Sequence, residues 1–424
     1  MKSIFLLLGL GILSSQVEAA GLRPADRPLS KPVAFQPSVK RGVGHYSSPW
    51  DEASKERKDS LLASSVDELR LAWYYNWVLS PSAMDQGVKA GFVPMAWDHQ
   101  HMQPDLLAKL KAKGYPALLG FNEPGHPGQA QMTVAQTLDL WPKLEATGMR
   151  LGSPAPADAK WLDDFMPQAI QRGLRVDFVA LHSYPDTADT DGVEVVRALV
   201  RKYWKKYNRP IWLTEYSLPI FAWHQHAPTM EENAWFARDS CLMLESLPYV
   251  ERYAWFSTGP GAAEGTGNDG YAPTALYVSK GVLSPAGIAY RDAMLRPDHG
   301  LHYKVYPGTF KDFSETKGMK AKSEGRVVGF DLWADNSEGD AAIEFNGYLE
   351  LPRDGYYEFT LSDPASALYL GKTKVGRPRI GLAKGRHKFR VTALRQGEHP
   401  GLRVTLRGPE MKRQGIPLDA LFLP

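Results

Sequence analysis

The chain has 424 residues, and 50 Lys and Arg stand against 47 Asp and Glu for a net charge of +3. The charges are interspersed, which argues against a nucleic-acid footprint. A single cysteine, Cys241, excludes an internal disulfide and has no partner for a zinc motif, so stability rests on the hydrophobic cores. The length favours two domains, each large enough to bury a core.

Lys2, an apolar run from Ile4 to Leu13 and the small-residue stretch Val17-Glu18-Ala19 give residues 1–20 the character of a cleaved signal peptide. Export to a periplasm or beyond the cell is therefore expected. No later segment approaches roughly 20 unbroken apolar residues, so no membrane anchor is expected. Residues 21–40 are proline-rich and lack either a helical or a strand period, which predicts an extended lead-in.

From residue 41 short apolar runs alternate with amphipathic stretches. The strand candidates are 41–46, 69–77, 92–97, 117–124, 150–155, 177–184, 211–216 and 252–257. Helices between them carry their own punctuation. Pro104 opens and Gly114 closes one, and Thr133 with Gln136 forms a capping box before Leu138, Trp141 and Leu144. Cys241 lies in a helix-like stretch, where packing is the expected role. Eight strands with interleaved helices over residues 41–297 predict an α/β fold, a (β/α)8 TIM barrel. After about Pro297 the period changes to two, as in Tyr357, Phe359, Leu361, then His387, Phe389, Val391, then Leu402, Val404, Leu406. That pattern predicts an all-β sandwich over 302–424.

The stretch ALLGFNEPG (117–125) ends a buried-looking strand in a carboxylate, which is costly without a partner. Glu123 closes the fourth predicted strand and Glu215 the seventh, and in such barrels the working residues stand at the C-terminal ends of strands. Simple alternation puts Leu119, Phe121 and Glu123 on one face, and Leu213 and Glu215 on one face, both toward the axis. Two facing carboxylates suit glycosidic cleavage, one protonated for the leaving oxygen and one ionised for the anomeric carbon. Aromatic residues concentrate at the strand ends, among them Trp73, Trp77, Trp97, Tyr184, Trp223 and Trp255, and such rings stack on the apolar faces of sugars.

The pieces KRGVG, WYYNW (73–77), VPMAW (93–97), GFNEPGHPGQAQM (120–132), LGSPAPA (151–157), VDFVALHSY (176–184) and WLTEYS (212–217) together resemble glycoside hydrolase family 128, endo-β-1,3-glucanases. The resemblance implies a retaining enzyme in which Glu123 is the acid/base and Glu215 the nucleophile. It further implies that Asn122 binds the sugar 2-hydroxyl, Tyr184 orients the nucleophile and Trp255 floors the subsite. Trp73, Asn76, Trp97 and His182 complete the expected substrate-binding set. Ser183 and Tyr216 depart from the residues common at those positions. A β-glucan substrate, a monomer, and no metal or cofactor are expected.

Residues 302–424 resemble the protective-antigen-type β-sandwich, on FNGYLELPRDGYYEFTLSD (345–363), LYLGKTKV (368–375) and GLAKGRHKFRV (381–391). Sugar-binding members hold calcium with an Asp-Asp pair, where this chain reads Ser362-Asp363-Pro364-Ala365, so packing or glucan docking is expected instead. Two other readings compete. The His clusters at 98–101 and 223–226 suggest a metal hydrolase but lack the i, i+4 spacing of one helix face. A catalytically silent glucan-binding protein has no need to retain both carboxylates.

Overall fold

The computed structural model describes residues 22–45, 66–81, 88–187, 191–259, 269–279, 281–376, 379–397 and 401–424. The expected signal segment lies outside them. The described chain divides into two units, one spanning Phe35–Met294 and the other joining residues 22–34 to Leu295–Pro424.

In the first unit the strands are β1 (Arg41–Gly44), β2 (Trp73–Tyr75), β3 (Gly91–Phe92), β4 (Ala117–Leu118), β5 (Arg150–Leu151), β6 (Val179–Ser183), β7 (Ile211–Tyr216) and β8 (Val250–Phe256). Six form a sheet in the order β3-β2-β1-β8-β7-β6, every neighbouring pair parallel, and β4 pairs parallel with β5. Single parallel bridges, Met95 to Leu119 and Gly152 to Phe178, link β4 and β5 to the chain after β3 and before β6. Each strand therefore has a parallel neighbour on either side.

The helices that lie wholly within the described residues are α1 (Pro104–Lys113), α2 (Val134–Glu145), α3 (Trp161–Gln171), α4 (Gly192–Tyr207), α5 (Met230–Ser246) and α6 (Pro285–Asp292). Thr133 accepts from the Gln136 N–H while Gln136 reaches back to Thr133, and Thr229 and Glu232 do the same at α5. Gly114 ends α1 at φ 65°, where a side chain would be strained. Along α4 the buried positions Val193, Val196, Val200, Tyr203 and Tyr207 recur at three and four residues, the stripe that seats a helix on a sheet.

The interior is an aromatic stack. Trp73, Tyr75, Val93, Met95, Ala117, Leu119, Phe178, Trp212 and Ala254 form one buried cluster. Phe178 stacks on Trp212 with centroids 4.1 Å apart. Gly42 and Gly152 make room for it, since a Cβ at either would stand 2.4 Å from the Trp73 or Phe178 ring. Cys241 is fully buried, and burial pushes its thiol up to about 11, which keeps it inert packing.

The second unit is all-β. One sheet runs 323–327, 301–307, 341–351, 385–395, 367–370, 373–374, with 421–422 also paired to 341–351. Its axis is Ala341–Leu351 against Gly385–Arg395, antiparallel and in register over the full length of both. The other sheet runs 380–382, 355–361, 404–408, 411–415. Tyr357, Phe359, His387, Phe389, Val391, Leu402, Val404 and Leu406 are buried as their alternation predicts. Residues 22–34 of the proline-rich segment belong to this unit, and their extended backbone pairs with its strands. Arg23 bridges Leu382, Arg27 bridges Arg386, and both the N–H and the hydroxyl of Ser30 donate to Glu350 (2.5 and 2.9 Å). Prolines deny the segment a period, yet the N–H groups of Arg23, Asp26, Arg27 and Ser30 find partners in the unit.

Candidate active site

The end of β4 is pinned from both sides. Asn122 N–H donates to Trp97 O (3.0 Å) and Glu123 N–H to Ala155 O (2.9 Å). At Glu123 the backbone then turns through φ 41°, a left-handed conformation uncommon for a residue with a side chain. Alternation alone does not place this carboxylate, because the Phe121 ring meets Trp141 of α2 instead of joining Ala117 and Leu119. On β7 the inner-cluster residue is Trp212, not Leu213. Ala180 pairs with Trp212 and His182 with Glu215, so three steps on β7 face two on β6. That bulge re-aims Glu215.

The two carboxylates meet across His182. Its Nδ1 lies 2.9 Å from Glu123 Oε1 and 3.4 Å from Glu215 Oε2. One ligand atom from each of the three lies within 4.8 Å of the others. Three further donors converge on Glu215: Trp77 Nε1 (2.8 Å) and Tyr75 OH (3.1 Å) on Oε1, and Tyr184 OH (2.6 Å) on Oε2. The Tyr75 hydroxyl also lies 3.0 Å from the Thr214 carbonyl at the bulge. Trp77, like Glu123, has a positive φ, 60°.

The electrostatics divide the pair. Burial pushes the Glu215 carboxyl above its ordinary range, opposed by the His182 charge and by the Tyr184 and Trp77 hydrogen bonds and reinforced by Glu123. For Glu123 burial acts in the same direction, but the hydrogen bond and charge of His182, with a contribution from His126, bring it below the ordinary range. His182 is itself buried, which disfavours its cation, yet the two carboxylates outweigh burial and raise it. Among the described residues these three form the one cluster spaced to share a cation. Their facing atoms are already engaged with one another and with Tyr75, Trp77 and Tyr184, the arrangement of a hydrogen-bonded acid pair.

Several expected residues stand elsewhere. Trp255 is a correction: it is fully buried, its N–H donates to Thr274 O (2.7 Å), and its ring packs on Tyr216, Phe236 and Tyr290 in the layer between sheet and helices. Its neighbour Phe256 takes the site-facing position, edge-on to Trp77 and Tyr184. Trp73 is a second correction, a core residue whose N–H donates to Lys40 O (2.9 Å) just before β1, the end opposite the glutamates. Asn76 donates to Ser80 O (3.3 Å) and ties the following turn. Trp97 is partly buried against the inner cluster beside Asn122. Asn122 donates to Gln129 Oε1 (3.0 Å), while its own buried carbonyl oxygen has no partner. Tyr216 faces Cys241 (3.8 Å), away from the pair.

The residues missed from sequence are Tyr75 and Phe256, and Trp77 entered only as one of many aromatics. The signal for the first was present in WYYNW: Trp73 and Tyr75 alternate along β2, Trp77 follows two residues on, and their rings succeed one another at 5.9 and 4.8 Å. The two His clusters resolve as local structure. Asp98 caps the turn His99–Met102 and bonds His101 (2.8 Å), His224 bonds Pro219 O (3.2 Å), and His226 bonds Glu232 (3.0 Å).

A glycosyl hydrolase catalytic core model matches residues 50–290. The chain is similar to a family 128 (subgroup I) endo-β-1,3-glucanase from Amycolatopsis mediterranei, solved with laminaritriose: 36% identity, TM-score 0.52, covering 61% of this chain and 100% of that one. Variants of that enzyme solved with laminarihexaose and laminaripentaose match at 36% identity over the same shares, with TM-scores of 0.52 and 0.53. No curated protein matches the chain. Since the core model spans more than half of the sequence and a 36% identical relative is matched along its whole length, the chain belongs to the glycosyl hydrolase catalytic core family, within glycoside hydrolase family 128.

Proposed function

We propose that this chain cleaves β-1,3-glucan internally with retention of configuration, using Glu215 as nucleophile and Glu123 as acid/base. The cyclic order of parallel strand pairs and the family relationship support reading the first unit as a (β/α)8 barrel with its site at the C-terminal strand ends. The linkage reading rests on the similar glucanases solved with laminari-oligosaccharides. The N-terminal apolar segment supports a secreted or periplasmic location.

The observation that carries the mechanism is the difference between the two carboxylates. Glu215 is held by three neutral donors, which fix its oxygens and oppose the burial that pushes its carboxyl above the ordinary range. Glu123 has the titratable His182 at 2.9 Å. With both glutamates ionised and His182 protonated the trio carries one proton and net charge −1. Moving that proton from Nδ1 to Glu123 Oε1 conserves the charge and produces a neutral acid facing an ionised nucleophile. In the first step Glu215 bonds the anomeric carbon, the glycosidic bond breaks, and the leaving oxygen takes the proton from Glu123. In the second, Glu123 takes a proton from water, whose oxygen replaces Glu215 on the sugar. The approach of the two groups to within 4.8 Å suits the short-spacing class of about 5–5.5 Å, not the roughly 6.5–9.5 Å needed to seat a water. Proton NMR of the first product formed from a laminari-oligosaccharide tests this: the β-anomer is expected, and the α-anomer appearing first would replace double displacement with direct attack by water.

A further inference from the structure

β1 reads Arg41-Gly42-Val43-Gly44, and its two glycines share a face. That face is the interior. A Cβ on Gly42 would stand 2.4 Å from the Trp73 ring, and one on Gly44 would stand 2.9 and 3.0 Å from the benzo edge of the Trp77 indole and 3.3 Å from the Tyr75 hydroxyl. Gly42 thus seats a ring in the floor of the stack, whereas Gly44 lies at the level of the glutamates. Its backbone has no positive φ, so alanine fits it and the glycine is needed for space.

In the register Gly44 stands between Tyr75 of β2 and Phe256 of β8. A residue without a side chain between two aromatic neighbours leaves a gap, and Trp77 occupies it. Trp77 lies two residues past the end of β2, and the left-handed turn of its backbone (φ 60°) is what accompanies the approach of its indole to Gly44. The ring then meets Tyr75 at 4.8 Å and the edge of Phe256 at 5.5 Å, while its Nε1 donates to Glu215 Oε1 (2.8 Å). An indole is a rigid plane, so its edges move together. Carbon atoms pack at about 3.5–4.0 Å, and a methyl group on Gly44 would displace the benzo edge and carry Nε1 with it. The Tyr75 hydroxyl, which meets the same carboxylate oxygen at 3.1 Å, would be crowded at the same time.

We propose that Gly44 is a positioning residue for the nucleophile: the missing side chain at the end of β1 sets where Trp77 Nε1 and the Tyr75 hydroxyl stand, and through them where Glu215 Oε1 is held. It acts only through those two donors. The proposal rests on reading Glu215 as the nucleophile.

The test is a double-mutant cycle in the full chain, read by turnover of a soluble laminari-oligosaccharide, by Tm and by the pH profile of kcat/KM. Gly44→Ala is expected to lower kcat by roughly tenfold, the scale of one weakened hydrogen bond to a charged group, with KM little changed. The acid limb of its profile should move to higher pH, because displaced donors favour the ionised carboxylate less, while the titratable groups around Glu215, namely Glu123, His182, Tyr75 and Tyr184, are unaltered. In a Trp77→Phe chain, whose ring lacks the crowded edge, adding Gly44→Ala should cost less than about twofold in kcat, near the limit of additivity between independent sites. This arm holds whether or not Gly44→Ala folds by itself. An equal loss in both backgrounds, an unmoved acid limb, or a Trp77→Phe chain that no longer folds once Gly44→Ala is added would each overturn the proposal. An inactive Glu215→Gln beside a fully active Gly44→Ala would overturn it alone, and a fully active Glu215→Gln would overturn the reading of the pair with it.

Discussion

Each unit buries charge, and Arg395 in one and the glutamate pair in the other do so in opposite ways. In the second unit Arg395, 1% exposed, donates to Gly339 O (2.8 Å), Leu332 O (2.8 Å) and the Ser337 hydroxyl (2.9 Å), with Asp335 3.6 Å away. Every partner is fixed, and none competes for a proton near neutral pH. In the first unit two carboxylates of like charge share one histidine, whose Nε2 is left without a partner. A buried charge surrounded by permanent partners holds a fold together. A buried charge whose partner can titrate is held ready to exchange a proton.

This contrast is open to test from its strongest consequence downward. Glu123→Gln and Glu215→Gln should each lower kcat by at least about 10²–10⁴-fold, the range for losing a positioned acid or base, while circular dichroism and Tm stay close to the parent. Azide should partly restore Glu215→Ala by attacking from the vacated side; rescue of Glu123→Ala instead, with an activated substrate and an inverted product, would exchange the two roles. Arg395→Leu should have the reverse profile. It strands Asp335 and two carbonyls and should cost about 3–5 kcal/mol in chemical denaturation of the second unit, with kcat on short oligosaccharides retained. A cost below about 1 kcal/mol would remove the distinction between the regions.

Smaller effects come from the donors. Trp77→Phe and Tyr75→Phe each delete one hydrogen bond to Glu215, and a bond to a charged group is worth about 1.5–3 kcal/mol. A fall in kcat of roughly ten- to a hundredfold with little change in KM is expected; unchanged kcat in both would reduce the cage to packing. The smallest effect is on stability. The folded pKa of His182 is raised above the ordinary 6.5, so its contribution is complete below 6.5 and is lost as pH rises through the raised value. Over that window the slope is bounded by one proton, about 1.4 kcal/mol per pH unit, and His182→Phe should abolish it. An identical slope in the variant would assign it to other groups.

Much of this was legible in the sequence because the signals were local. The capping box at Thr133 set a helix start, and period-two alternation marked the strands of the second unit. The two glutamates stood out as carboxylates ending apolar runs. What alternation could not supply was the geometry that aims them, since Glu123 depends on a left-handed turn and Glu215 on a bulge against β6. The same limit misplaced Trp255. Both faces of β8 are buried, so hydrophobicity does not separate them, and the small Ala254 on the inner face was the available clue that Phe256 follows it inward. Trp73 failed for a different reason: it shares its face with Tyr75 and Trp77 but lies two residues below the first of the donors, in the floor of the stack.

The pairing of Ser30 with Glu350 and of Arg27 with Arg386 joins positions more than 300 residues apart, with the whole catalytic unit between them in sequence. On a growing chain the first segment is therefore made long before the strands that receive it. The catalytic unit has all of its own residues once Met294 is made, whereas the segment before it must wait for the last strands of the protein. The order of synthesis and the order of completion are thus reversed for these few residues. A nascent chain halted after residue 300 would carry a complete catalytic unit preceded by a segment still exposed to proteases.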